Sequence, residues 1–277
     1  MNSINSDSLL DFLCSKSKWV YKETLKIHKN APETRIASSL SAVETLVSLF
    51  YGNILKFDPK NLKWEQRDRF IVSKGHGSIA LYPIFADLGF YSMKELENVC
   101  VKDSVFGSIP DTLIPGYETI NGSLGHGLGV GCGFALALKR KKIDADVFVL
   151  VGDGELYEGA VWEAVMFAGH HKIDNLKMIL DNNKICMMGY CKDILNLEEL
   201  NKKFEAFGWS VERGNGHNMD EIYNKIRKLK HNKNKCPKLL IADTVKGNGV
   251  PGLQTDSLCH VKSLKPEQVD EVLSTLE

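Results

Sequence analysis

The chain has 277 residues, 43% of them hydrophobic and 25% charged, with Lys plus Arg and Asp plus Glu balanced at 35 each. That is the composition of an ordinary globular enzyme or binding protein, and it excludes the strongly basic surface of a nucleic-acid-binding protein. No apolar run approaches the roughly 20 residues that cross a bilayer, no basic stretch followed by an apolar core opens the chain, and seven cysteines without CxxC spacing point to reduced thiols in the cytoplasm, with Cys132 and Cys186 in the core.

In chain order, residues 6–30 place Leu10, Leu13, Val20 and Ile27 on one helical face. A second helix is expected from Ser41 to Tyr51, and Asp58-Pro59 marks a turn. Arg69 to Val72 reads as a short buried strand, followed by the loop Ser73-Lys74-Gly75-His76-Gly77 and a helix from Ser78 to Leu88. Residues 103–122, rich in Pro, Gly and Ser, form a loop long enough to carry function. Gly122 to Leu138 reads as a Gly/Ala-rich helix suited to close packing. Two apolar strands, DVFVLV and LKMIL, flank a stretch with helical spacing. Then come a helix over 196–207, a strand Trp209-Ser210-Val211, a helix from Asp220 to Lys230, and a last strand from Lys238 to Ala242. This alternation predicts an α/β fold, a mostly parallel sheet with helices on both faces, and a single domain over residues 1–277.

The loops after DVFVLV and LKMIL carry the chemistry. One is Gly152-Asp153-Gly154-Glu155 and the other Asp181-Asn182-Asn183, so a carboxylate and an amide oxygen come together at the carboxyl ends of neighbouring strands. Such hard oxygen donors suit Mg²⁺ or Ca²⁺ bridged to phosphates. Glycine lets the backbone approach a diphosphate, and the helix after the turn aims its amino terminus at that charge. A tight turn beside an unrelated Asn turn would account for the residues but not for their spacing.

This strand–GDG–helix–strand–NN order resembles the thiamine-diphosphate (ThDP) motif. Together with DRFIVSKGHGSIALYPIFADLG, GSLGHGLGVGCGFALALK, ILDNNKI and TVKGNGV, in one order from about Arg35 to His260, it makes the chain resemble the diphosphate-binding half of transketolases. The resemblance is to the N-terminal subunit of split bacterial enzymes in particular. It implies the transketolase PP-domain fold, ThDP with Mg²⁺ (or Ca²⁺ or Mn²⁺), and transfer of a two-carbon ketol unit from a ketose-like donor to an aldehyde acceptor. The pyrimidine and C-terminal domains of a full transketolase have no counterpart in this sequence. The resemblance therefore implies a separate pyrimidine-domain partner, assembly into an α2β2 heterotetramer, and activity only with that partner.

By the same resemblance Asp153, Asn183 and the Ile185 carbonyl are the metal ligands. Gly152, Gly154 and Glu155 belong to the diphosphate loop, and His76 and His260 are cofactor contacts with catalytic potential. Gly122, Leu124 and Met187 are expected against the cofactor rings. Glu158 matches a glutamate that meets its counterpart across the subunit interface, and its apolar flanks lead us to expect it buried. Plainer readings stand beside these: a polar loop residue for His76, a solvated first-turn carboxylate for Glu158, ordinary core for Leu124 and Met187. His126, His170 and His171 are weaker candidates.

Two positions depart from the family pattern: Arg35 and Ile109 stand where transketolases carry histidines. Arginine fixes a positive charge that favours a carboxylate or phosphate on the substrate. A buried isoleucine favours a methyl over a hydroxyl. Two alternatives stay open, a pyruvate or other 2-oxoacid donor with decarboxylation and acetyl-type transfer, and a non-catalytic cofactor-binding or regulatory paralogue. The expected small molecules are sugars or 2-oxoacids; nucleic acid and membrane are not expected partners.

Overall fold

Phe148 and Leu150 project into one buried cluster, while Val147, Val149 and Val151 of the same strand project into another. A strand alternates its side chains, so burial on both sides produces the unbroken apolar runs seen in the sequence. The computed structural model describes residues 6–120 and 122–276. Its central sheet has five strands, all parallel, ordered β1-β2-β3-β7-β6. They are β1 (Arg69–Val72), β2 (Val147–Gly152), β3 (Leu176–Asn182), β6 (Ser210–Asn215) and β7 (Lys238–Asp243). A small antiparallel hairpin, β4 (Ile185–Cys186) and β5 (Gly189–Tyr190), follows β3.

Helices α1 (Ser6–Asn30), α3 (Val43–Tyr51), α4 (Leu81–Asp87) and α9 (Met219–His231) cover the Phe148 face. Helices α5 (Gly127–Arg140), α6 (Gly159–His170) and α8 (Leu200–Ala206) cover the Val149 face. The helices that lead directly into β2, β3 and β6, namely α5, α6 and α8, lie on the Val149 face, and α9, on the return from β6 to β7, lies on the other. Right-handed crossovers require that change of face when the direction of travel reverses. Short helices α2 (Ile36–Leu40), α7 (Cys191–Ile194) and α10 (Pro251–Gln254) and the helix α11 (Pro266–Ser274) lie in the connections and the final segment. Among the described residues no helix is long and apolar enough to cross a membrane.

The expected elements are present with shifted ends. The helix expected from Gly122 starts only at Gly127, because Gly122 and Gly125 have φ of 124° and 90°, a left-handed backbone that no helix contains. The helix expected over 196–207 is reduced to Leu200–Ala206, and the strand expected over Trp209-Ser210-Val211 starts at Ser210 and runs on to Asn215. The β4–β5 hairpin and α11 have no counterpart among the expected elements. Cys132 and Cys186 are buried thiols, as expected.

A third cluster joins Leu25, Ile36, Leu40, Ile185, Leu253 and Val269 at the carboxyl end of the sheet. One buried histidine fastens it. His28 Nε2 accepts from the Leu264 backbone N–H at 3.0 Å, which leaves Nδ1 protonated to donate to Thr34 Oγ1 at 2.8 Å. Thr34 in turn donates to the Ala31 carbonyl at 2.8 Å. Both ring nitrogens are committed to a neutral imidazole, and burial lowers its pKa to about 4.

Candidate active site

The strand register puts Gly152 beside Asp181 and Asn182 beside Asp243, so the loops after β2, β3 and β7 leave the sheet at one level. With the loop after β1 they line a pocket of about 320 Å³. Its walls include Lys74 and His76 after β1, Gly152 to Glu155 with Tyr157 and Glu158 after β2, Asn183 and Ile185 to Met188 around the hairpin, and Lys246 and His260 after β7.

Asp181 is the buried hub beneath this pocket. Its carboxylate accepts from Lys74 Nζ and Thr244 Oγ1, from Ser41 Oγ at 2.7 Å and from Asn183 Nδ2 at 3.1 Å. Burial would raise its pKa, but the Lys74 ammonium and the hydroxyl donors outweigh burial and hold it down to about 2. The bond from Asn183 Nδ2 turns the amide oxygen the other way, where it accepts from the Ile185 N–H at 3.2 Å.

Asp153 accepts from the Gly154 N–H at 2.8 Å and from the Lys184 N–H. Burial and the nearby Asp181 charge raise its pKa to about 6, against the pull of Lys246 and the two N–H groups. A Cβ on Gly154 would lie 3.0 Å from Cys186 Cβ, so glycine lets the hairpin close down on this loop. The Ile185 carbonyl accepts from Lys246 Nζ at 2.6 Å, and the same ammonium lies 2.8 Å from His260 Nδ1. The His260 and His76 rings stand 4.7 Å apart. Burial, with the Lys246 and Lys74 charges, lowers His260 to a pKa of about 3; burial and Lys74 lower His76 to about 2. Both imidazoles are therefore neutral at physiological pH.

Asp153, Asn183 and Ile185 offer one carboxylate, one amide oxygen and one carbonyl. That set fits a hard divalent cation whose remaining positions are filled by anionic oxygens and water. Among the described residues no group of three His, Cys, Asp or Glu side chains is placed to hold a metal alone.

Several sequence expectations change here. Glu155 lines the pocket with its oxygens already engaged: its buried carboxylate accepts from Ser73 Oγ, from Gly125 N–H at 2.9 Å and from Gly152 N–H at 3.2 Å. It clamps the Gly-rich segment to the loop after β2. Glu158 is exposed rather than buried, because it caps α6 at the pocket rim with its side chain outside the core. Met187 is not core either; it is 62% exposed, and Leu124 lines the pocket half-buried. Gly122 and Ile109 fall outside the pocket wall but next to each other, and Ile109 is 42% exposed instead of buried. Arg35 is half-buried at the start of α2, close enough to His260 to depress its pKa further. His126, His170 and His171 are exposed, the last two at the end of α6.

Lys74, Lys246, Ser41 and Thr244 belong to the site although no motif singles them out. Their signal lies in the sequence all the same: two lysines next to glycines in loops that follow apolar strands. A lysine there is either solvated or aimed at an anion, and both of these are buried.

Residues 36–276 match the family described as the thiamine diphosphate binding domain of transketolase. An apulose-4-phosphate transketolase subunit of Phocaeicola vulgatus is 36% identical, over 91% of this chain and 89% of that protein. The 6-deoxy-6-sulfo-D-fructose transketolase subunit of one Clostridium species is 34% identical, over 87% and 88%. Among solved structures, transketolase from Campylobacter jejuni superposes with a TM-score of 0.88 at 30% identity. The match covers 99% of this chain but 43% of that one, so the chain spans less than half the length of a full transketolase.

Proposed function

The chain belongs to the transketolase thiamine-diphosphate-binding family, and from that premise we propose that it is the ThDP- and Mg²⁺-holding component, one PP domain, of a two-subunit transketolase. The reaction is transfer of a two-carbon ketol unit from a ketose-like donor to an aldehyde acceptor. One observation carries the reading: the oxygens of Asp153, Asn183 and Ile185 share a single pocket with two buried lysines and two neutral imidazoles.

Within that reading Asp153, Asn183 and the Ile185 carbonyl hold the metal, and the Gly154 N–H with the lysine side of the pocket faces the diphosphate. ThDP, when bound, supplies the carbon nucleophile and the electron sink. His76 and His260, neutral and adjacent, can each donate or accept a proton at substrate oxygens. Leu124 and Met187 form an apolar shelf for the rings. Glu158 and Met187 are exposed at the rim, which supports a second chain closing the pocket. Relatives of similar length are named as transketolase subunits, in keeping with a heteromeric assembly, which we expect to be α2β2.

A narrower reading concerns the donor. Ile109 lies beside Gly122 and offers no hydrogen bond, while Arg35 enters no ion pair among the described residues. Both features suit a donor that ends in methyl and carries an anionic group, such as pyruvate. The test of the main reading is to co-express the chain with the pyrimidine-domain partner from its own source. ThDP binding is followed by calorimetry, and ketol transfer from hydroxypyruvate or a ketose phosphate to an aldehyde by product analysis. We expect Mg²⁺-dependent ThDP binding and turnover by the pair and no turnover by the chain alone. A pair that binds no ThDP overturns the reading.

A further inference from the structure

We propose that Lys246 makes divalent-metal binding conditional on a bound diphosphate, an inference that rests on the metal–diphosphate reading above. Lys246 is 2% exposed, and its ammonium donates to the Ile185 carbonyl at 2.6 Å, the same oxygen assigned to the metal. A carbonyl has two lone pairs, so ammonium and metal can share it. They then stand as like charges a few ångströms apart in a site screened from solvent.

The other charges do not cancel that repulsion. Asp181 is neutralised by Lys74 and further saturated by Ser41, Thr244 and Asn183. Glu155 keeps its charge, but its oxygens are already taken by the neutral donors of Ser73, Gly125 and Gly152. Asp153 is left as the counter-charge to Lys246. A divalent ion arriving alone would meet a Lys246–Asp153 pair that already sums to zero, with the Glu155 carboxylate as the one charge left over, and would leave the pocket with an excess of about one positive charge. A diphosphate reverses the sign, because it is attracted by the ammonium and the metal together.

Lys246 has little freedom to withdraw. The Gly247 N–H is bonded to the Ala37 carbonyl at 2.9 Å and the Thr244 N–H to the Asn182 carbonyl at 3.2 Å, so its backbone is tied on both sides. The ammonium thus discourages the bare metal and recruits the anion. Linkage requires the two bindings to favour each other by the same factor.

The experiment uses the full chain, Mn²⁺ as the metal, and inorganic pyrophosphate as the anion, with free Mn²⁺ read by electron paramagnetic resonance. In the wild type, Mn²⁺ alone binds weakly and saturating pyrophosphate tightens it. In Lys246→Met, Mn²⁺ alone binds about tenfold more tightly, and the gain from pyrophosphate shrinks about tenfold or more. Lys246→Arg keeps the charge and retains the wild-type coupling. A lysine that only props up the loop predicts the opposite, weaker Mn²⁺ binding in the Met variant with and without pyrophosphate. That result, or an unchanged Mn²⁺ affinity, overturns the proposal. If Lys246→Met does not fold, Lys246→Gln carries the same comparison. A wild type that binds Mn²⁺ neither alone nor with pyrophosphate overturns the metal–diphosphate reading, and this inference with it.

Discussion

Acid should loosen the clamp between α1 and the C-terminal segment, and His28 sets how much. An unfolded histidine has a pKa of 6.5, and burial lowers His28 to about 4. Between those values the unfolded chain binds the extra proton and the folded chain does not. Stability is therefore fully present above the unfolded pKa and is lost as pH falls toward the folded one. The loss from this group works out at about 2 kcal/mol at pH 5 and about 3 kcal/mol by pH 4, with one pKa unit equal to about 1.4 kcal/mol. Protonating Nε2 also breaks its bond with the Leu264 N–H, so the segment leading into α11 should detach first. His28→Leu removes the titration. It should cost about 1–3 kcal/mol at pH 7.5, because the Leu264 N–H loses its acceptor. It should also flatten the decline in stability toward pH 4 by about 3 kcal/mol relative to wild type. Urea unfolding at several pH values, followed by circular dichroism, measures both. Because other buried groups titrate equally in the two proteins, the wild type minus variant difference isolates His28. Parallel stability–pH curves would refute the assignment.

Asp153→Ala should abolish Mg²⁺-dependent ThDP binding in the assembled enzyme while leaving its melting temperature within a few degrees, and Asn183→Ala should weaken binding severely; unchanged calorimetric affinity in Asp153→Ala would remove it from the ligand set. Glu155→Gln swaps one acceptor oxygen for an amide that faces N–H and O–H donors, and should cost about 1–3 kcal/mol of stability, read as a fall in thermal midpoint; an unchanged midpoint would mean that the carboxylate is not the clamp described. Ile109→His should move the ratio of kcat/KM for pyruvate over hydroxypyruvate toward hydroxypyruvate by roughly fivefold or more, if the partner buries this side chain at the donor. Equal ratios in the two enzymes would place Ile109 away from the donor.

The sheet and its two loaded loops are legible because strands buried on both faces leave unbroken apolar runs and because glycine and asparagine mark the ends of β2 and β3. Strand order is not legible, since no local pattern distinguishes β7 inserted between β3 and β6 from β7 at an edge. Helix starts slip wherever glycine sets a backbone that composition cannot report, as at Gly122 and Gly125. Glu158 misleads because apolar neighbours such as Val161 and Trp162 bury one side of α6 while its first turn opens at the rim. What the motif does not show at Glu155 is that two donors from distant segments, Ser73 and Gly125, and the nearby Gly152 N–H already hold its carboxylate.

The Asp181 hub has a consequence for how the protein is made. Its partners lie 140, 107 and 63 residues away along the chain, at Ser41, Lys74 and Thr244. Contacts of that separation form late and slow folding, because long loops must close before any bond is gained. Until Thr244 has cleared the ribosome, β7 is missing from between β3 and β6, and the carboxylate of Asp181 faces water with its set of donors incomplete. The catalytic end of the sheet is thus among the last regions of the nascent chain to solidify, and a product cut short before β7 would carry both sequence motifs without the pocket they line.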